Sequence, residues 1–126
     1  MKYESGSVSQ DEQIIYQECL GGQEYGADII NDLNGNLQNV IVKKKIAMRA
    51  GETDISEIVE NEVISQELER LGKLTGHIGN MDTDIFFVDG KPYILEMNAR
   101  FGGGYPFSHM GGCNLPKAIV NWCQGK

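Results

Sequence analysis

Short apolar segments with alternating polar positions predict that the first half of the chain is mainly β-structure. Residues 13–20 are partly β-branched and are followed by Gly21-Gly22, which predicts a strand that ends at a sharp bend. Residues 24–33 and 37–47 predict two further strands. Asn34-Gly35 lies between them and tolerates positive φ at both turn centres. The two strands are therefore expected to form a hairpin.

A helix is predicted after this hairpin. Residues 49–53 form a polar loop, and Asp54 with Glu57 three residues later has the pattern of a capping box. Apolar residues then follow at helical spacing, at Ile64, Leu68 and Leu71. Gly72 is the expected stop. The spacing thus predicts one long helix from Asp54 to about Leu71.

The second half of the chain predicts another hairpin and a terminal helix. Two strand-like segments flank Asp89-Gly90, and the last ten residues predict a helix with Pro116 in its first turn and Ile119 and Trp122 facing inward. No repeat or linker divides residues 1–126, which predicts a single domain. We expect an α+β fold, a mostly antiparallel sheet with the long helix and the C-terminal helix packed on it.

Composition excludes several classes of function. The chain has 126 residues and a net charge of −7, which argues against binding to the phosphate backbone of nucleic acid over an extended surface. It contains no apolar run of about 20 residues and no secretion signal. We therefore expect a cytoplasmic location, without a membrane partner and without export. The three cysteines, Cys19, Cys113 and Cys123, have no metal-binding spacing and are expected to be reduced, with Cys19 buried.

The candidate chemistry lies on the last predicted strand. Glu96, Asn98 and Arg100 alternate with apolar residues, so the three polar side chains share one face of the strand. If Val88 pairs with Pro92, Asp84 lies opposite Glu96. The same register places Asp82 opposite Asn98, Ile85 opposite Leu95 and Phe87 opposite Tyr93.

Carboxylates that converge in this way repel one another unless a cation lies between them. Ligand sets made only of oxygen suit Mg²⁺ or Mn²⁺. The alternative is a solvated sheet face on which Arg100 forms a surface ion pair worth at most about 1 kcal/mol.

These residues resemble a known family. Residues 17–112, with the strand motif Glu96-x-Asn98-x-Arg100 and an acid at Asp84, resemble the C-terminal part of an ATP-grasp domain. The likeness is to the carbamoyl phosphate synthetase large chain and to carboxylate-amine ligases. It implies that Asp84, Glu96 and Asn98 hold magnesium ions against ATP, and that Arg100 faces the transferred phosphoryl group.

The resemblance also implies an adenine site at the end of the first strand. The segment Gln17-Glu18-Cys19-Leu20-Gly21-Gly22-Gln23-Glu24 resembles the family's hinge strand. Gln17 and the backbone of Glu18 and Leu20 would meet the adenine edge, Glu24 the ribose hydroxyls, and Phe86 would cover the base.

Two further features have open or general roles. Gly102, Gly103 and Gly104 lack side chains, so their N–H groups can approach an anion closely, and the family uses such a loop for phosphate or substrate. Lys43 and Lys45 share one face of their strand. They either contact phosphate or lie in solvent on an exposed strand, and the role of Arg49 is undecided between the same two alternatives.

The resemblance implies a ligase that uses ATP to activate a carboxylate as an acyl phosphate for attack by an amine or ammonia. Most of the family's N-terminal lobe has no counterpart here, so residues 1–126 are expected to be a partial ATP-grasp domain. We expect the chain alone to bind Mg-ATP weakly and to be inactive. The partner hypotheses are a separate N-terminal lobe and a second copy of the chain. The alternative function is a nucleotide- or metal-binding module without catalysis.

Overall fold

The fold is α+β and is built on one antiparallel sheet, as the apolar pattern predicted. The structure, a computed structural model, describes residues 14–126. Five strands lie in the order β3-β2-β1-β4-β5, and every neighbouring pair is antiparallel. The strands are β1 (Gln23–Asn31), β2 (Leu37–Arg49), β3 (Glu52–Ile58), β4 (Gly79–Val88) and β5 (Lys91–Asn98). The helices are α1 (Glu62–Thr75), α2 (Tyr105–Met110) and α3 (Leu115–Cys123).

The two faces of the sheet carry separate apolar cores. Helix α1 packs on one face, where Ile64 and Leu68 are fully buried against residues such as Ile29 and Ile85. Helices α2 and α3 pack on the other, where Leu115 contacts Ile30. Ile119 and Trp122 of α3 join this second core, which confirms their predicted orientation. Within residues 14–126 there is no helix with the length and apolar character needed to cross a bilayer.

The first hairpin is confirmed, but its turn differs from the prediction. β1 and β2 pair from Tyr25↔Lys44 to Asn31↔Leu37, so the connection is longer than the Asn34-Gly35 dipeptide. Of these two residues only Gly35 has positive φ, at 79°. Asp32 organises the loop because its Oδ1 accepts hydrogen bonds from the N–H groups of Asn34 and Asn36, at 2.8 and 2.9 Å.

The segment predicted to open the long helix is a strand. Glu52–Ile58 forms β3, which returns along β2 after a turn at Ala50-Gly51, and both turn residues have positive φ. β2 extends past the end of β1, so its outer part needs another strand to satisfy its backbone groups. This pairing within a tight hairpin outweighs the capping pattern at Asp54 and Glu57, and the prediction of a helix there was wrong.

Helix α1 begins and ends later than predicted. Asn61 is its N-cap, with Oδ1 accepting from the N–H of Ile64 at 3.1 Å, and Gly76 is its left-handed C-cap. Gly72 does not stop the helix; it is buried inside it. A Cβ at Gly72 would lie 2.7 Å from Leu37 Cδ1 and 2.8 Å from Ile29 Cγ2, so the missing side chain lets the helix approach the sheet.

The predicted first strand is not observed. Gln13 lies outside the described residues, and residues 14–21 form no strand. Their side chains are largely exposed, including that of Cys19, which had been expected to be buried. Strand composition is not sufficient, because a strand also needs a pairing partner, and residues 14–21 pair with none of the five strands.

Candidate functional site

The β4–β5 hairpin places the predicted polar residues opposite one another. Asp84 pairs with Glu96, and Asp82 pairs with Asn98, as the alternation predicted. The turn at Asp89-Gly90 is shorter than predicted, because Val88 pairs with Lys91.

An irregularity in β5 restores the predicted register at the carboxylates. The pairing shifts by one residue between Ile85 and Asp84, so Leu95 is the extra residue of β5. The predicted pairs Ile85–Leu95 and Phe87–Tyr93 were therefore wrong. Ile85 pairs with Ile94, and Phe87 pairs with Pro92.

Lys45 joins two acids of this face. Its Nζ donates to Asp84 Oδ1 at 2.7 Å and to Glu24 Oε1 at 2.6 Å, and its side chain is only 8% exposed. Burial alone would lower the pKa of Lys45, but the hydrogen bonds and negative charges of Asp84 and Glu24 more than offset it. The pKa is raised, so the ammonium stays charged.

A second ion pair lies deeper in the sheet and was not predicted. The Lys43 ammonium donates to Asp28 Oδ2, and both side chains are almost fully buried. Asp28 also accepts from Ser108 Oγ at 2.5 Å and from Asn80 Nδ2 at 2.7 Å. The signal was available, since a carboxylate inside the apolar run Ala27-Asp28-Ile29-Ile30 must find a charged or donor partner when buried.

Lys43 connects this buried network to the glycine loop. Its Nζ donates to the carbonyl oxygen of Gly104 at 2.9 Å. The alternative that Lys43 solvates an exposed strand is therefore wrong. Ser108 lies in the second half of α2, and its hydroxyl donates to Asp28.

Arg100 and the glycine loop meet at Asp82. Arg100 Nη1 donates to Asp82 Oδ2 at 2.7 Å, and a Cβ at Gly102 would lie only 2.1 Å from Asp82 Cγ. Only glycine fits at this approach. Burial raises the pKa of Asp82, and the nearby charges of Asp84 and Asp28 act in the same direction, while Arg100 opposes them.

These side chains surround an open cavity of about 210 Å³. Asp84, Glu96 and Arg100 line it together with both lysines, Gly103 and Gly104, and β3 adds Thr53 and Ser56. Asn98 does not line it; its Nδ2 donates to Glu96 Oε1 at 2.9 Å. Arg49 lies apart, in an exposed ion pair with Asp54 at 3.1 Å.

The residues assigned to the nucleotide fall into two groups. Phe86 lies on β4 opposite Glu24 of β1 and two residues from Asp84, so these three share one face. Gln17, Glu18 and Leu20 belong to the segment without a strand. None of the five residues is part of the cavity lining, although Phe86 and Glu24 lie beside it on the face of Asp84.

Comparison with known protein families identifies one matching family. The family described as "ATP-grasp in the biosynthetic pathway with Ter operon" matches residues 10–126. The chain belongs to this ATP-grasp family. No curated protein shows significant similarity to it.

Solved ATP-grasp structures show the same fold. D-alanine–D-alanine ligase from Bacillus anthracis complexed with ATP matches with a TM-score of 0.51 and 18% identity, over 82% of this chain and 38% of the ligase. Another structure of that ligase matches with a TM-score of 0.53 and 16% identity, over 83% of this chain and 41% of the ligase. The chain thus spans about two-fifths of the length of these ligase chains.

Proposed function

We propose that this ATP-grasp chain is the ATP- and metal-binding part of a ligase that activates a carboxylate as an acyl phosphate. The observation that carries the proposal is the pairing of Asp84 with Glu96 on one face, in a cavity that Arg100 and the glycine loop also line. Family membership and the fold of an ATP-bound ligase support it.

The proposed donor set has the chemistry that a divalent ion requires. Asp84, Glu96 and Asn98 offer only oxygen ligands from adjacent strands, which suits Mg²⁺ or Mn²⁺. Within residues 14–126, however, no group of three or more His, Cys, Asp or Glu side chains is arranged to hold a metal by itself. This fits magnesium, which usually binds one or two carboxylates and completes its shell with water and phosphate oxygens. When bound, the ion would neutralise charge on the phosphates.

The nucleotide would extend along the cavity from Phe86 and Glu24 towards the glycine loop. In this assignment Phe86 covers the base and the Glu24 carboxylate meets the ribose hydroxyls. Gln17, Glu18 and Leu20 remain the candidates for the adenine edge, and this role requires the segment 14–21 to change conformation because its backbone is not in a strand.

Arg100 and the glycine loop would act at the transferred phosphoryl group. A substrate carboxylate oxygen forms a bond to the terminal phosphorus, the bond to the bridging oxygen breaks, and ADP leaves. An amine or ammonia then attacks the acyl carbon and expels phosphate. Arg100 neutralises negative charge on the phosphoryl group, and the N–H groups of Gly102, Gly103 and Gly104 can approach it. Arg100 must exchange its contact with Asp82 to do so.

A second candidate is a module that binds nucleotide or metal without catalysis. It is favoured by the absence of a strand in residues 14–21, because that segment was assigned to the adenine edge. This candidate predicts that the chain binds Mg-ADP. It also predicts that phosphoryl transfer remains absent even after a separate N-terminal lobe is added.

Calorimetric titration with Mg-ADP tests the proposed function. We expect the double substitution Glu96→Gln, Asn98→Ala to weaken binding at least about tenfold, equivalent to about 1.4 kcal/mol. Glu57→Gln is the matched control, since Glu57 pairs with Lys44 and points away from the cavity. Equal affinities for the wild type and the double variant would refute the assignment of these residues.

A further inference from the structure

The Lys45 ammonium lies at the oxygen that the proposed metal would bind. Its Nζ is 2.7 Å from Asp84 Oδ1. A magnesium ion would need about 2.0–2.1 Å from a ligand oxygen. An ammonium and a divalent ion on the same carboxylate would repel each other strongly, and a metal bound through the other oxygen would still be an immediate neighbour.

Lys45 reaches Asp84 across the central strand. Lys45 belongs to β2 and Asp84 to β4, and β1 runs between them. The lysine side chain therefore crosses β1, at Gly26, which pairs with Asp84. A Cβ at Gly26 would lie 3.4 Å from Lys45 Cε, so the lysine stem lies in contact distance of the β1 backbone at this point.

Glu24 gives the ammonium a second fixed partner. Lys45 Nζ is 2.6 Å from Glu24 Oε1, and Glu24 is the residue proposed for the ribose. One lysine thus holds a proposed metal ligand and a proposed nucleotide ligand at the same time.

We propose that Lys45 is the resident cation of this site and competes with the divalent ion for Asp84. This inference rests on the proposed function. Without nucleotide, a metal that displaces Lys45 from Asp84 leaves the ammonium with Glu24 alone in a largely buried place. With nucleotide, the phosphates offer the displaced ammonium a new partner. Metal and nucleotide therefore bind cooperatively, and Lys45 carries part of the coupling.

Mn²⁺ binding measured by electron paramagnetic resonance tests this inference on the full chain. We expect Lys45→Met to bind Mn²⁺ at least about tenfold more tightly than the wild type without nucleotide, since a competing unit charge is removed. Lys44→Met is the matched control: it removes the same charge from the opposite face and leaves Mn²⁺ affinity unchanged. Adding ADP should raise Mn²⁺ affinity more in the wild type than in Lys45→Met.

Two further variants keep the test decisive. Lys45→Gln retains hydrogen-bond donors without the charge, and it replaces Lys45→Met if circular dichroism shows that the latter is unfolded. Asp84→Asn combined with either substitution should abolish the gain in affinity.

The outcomes separate this inference from the proposed function. If the wild type binds Mn²⁺ with ADP but neither Lys45 variant binds Mn²⁺ more tightly than the wild type without ADP, Lys45 is not a competitor and only this inference fails. If no form binds Mn²⁺ at millimolar concentration with or without ADP, the metal assignment of Asp84 fails, and this inference fails with it.

Discussion

Lys43→Met should strongly destabilise the fold, because it leaves the Asp28 carboxylate buried without a counter-charge. Asp28 lies on the central strand with a side chain that is 0% exposed, and Lys43 is 3% exposed. Ser108 and Asn80 still donate to the carboxylate in the variant, so its hydrogen bonds survive in part. The substitution therefore removes mainly the positive charge of Lys43 that faces Asp28.

The expected cost follows from that burial. Removing one partner of a buried ion pair costs about 3–5 kcal/mol, whereas exposed pairs contribute at most about 1 kcal/mol. A domain of this size is stable by about 5–15 kcal/mol in total. Since urea slopes are about 1–3 kcal/mol per M, the unfolding midpoint should fall by about 1 M or more.

Urea unfolding followed by circular dichroism measures this loss. The double variant Asp28→Asn, Lys43→Met removes both charges and should recover at least about 1 kcal/mol relative to the sum of the single losses. Lys44→Met serves as the control for removal of a lysine from the same strand. A loss below about 1 kcal/mol for Lys43→Met, or strict additivity in the double variant, would refute the claim that this pair is coupled in the interior.

Two more predictions concern loops. The pKa of Asp32 is lowered from 3.8, first by the hydrogen bond from the backbone N–H of Asn36, so its stabilisation is present above pH 3.8 and is lost as the pH falls through the lowered folded value. The stability difference between wild type and Asp32→Asn should thus decrease as the pH falls below about 3.8 in urea titrations, and a difference that stays constant in that range would contradict it. Ala50 has a φ of 50°, which costs a non-glycine residue about 1–2 kcal/mol. Ala50→Asn creates the preferred Asn-Gly turn and should raise the melting temperature, whereas a lower value would show that Ala50 is not strained.

Local alternation predicted the strand faces well. Strands were predicted at residues 24–33 and 37–47, and β1 and β2 lie at Gln23–Asn31 and Leu37–Arg49. The same alternation placed Glu96 opposite Asp84. Side-chain direction in a strand depends only on neighbouring residues, so sequence patterns can determine it.

Strand pairing determined what the pattern within a single segment missed. Residues 52–58 contain a helix-capping pattern, yet they form β3 because the turn at Ala50-Gly51 returns them along β2. Residues 13–20 have strand composition, but residues 14–20 form no strand. The pattern of a segment shows whether it could be a strand, but not whether it pairs with one.

Strand order also explains why the pairing of Asp84 with Glu96 was predicted and the ion pair of Asp84 with Lys45 was not. Asp84 and Glu96 belong to one hairpin, so a single turn and the period of the strands bring them together, even though the turn is one residue shorter and Leu95 compensates. Lys45 reaches Asp84 because β1 alone lies between β2 and β4. Strand order is a property of the whole sheet, so the charge balance of this cavity becomes visible only in the folded structure.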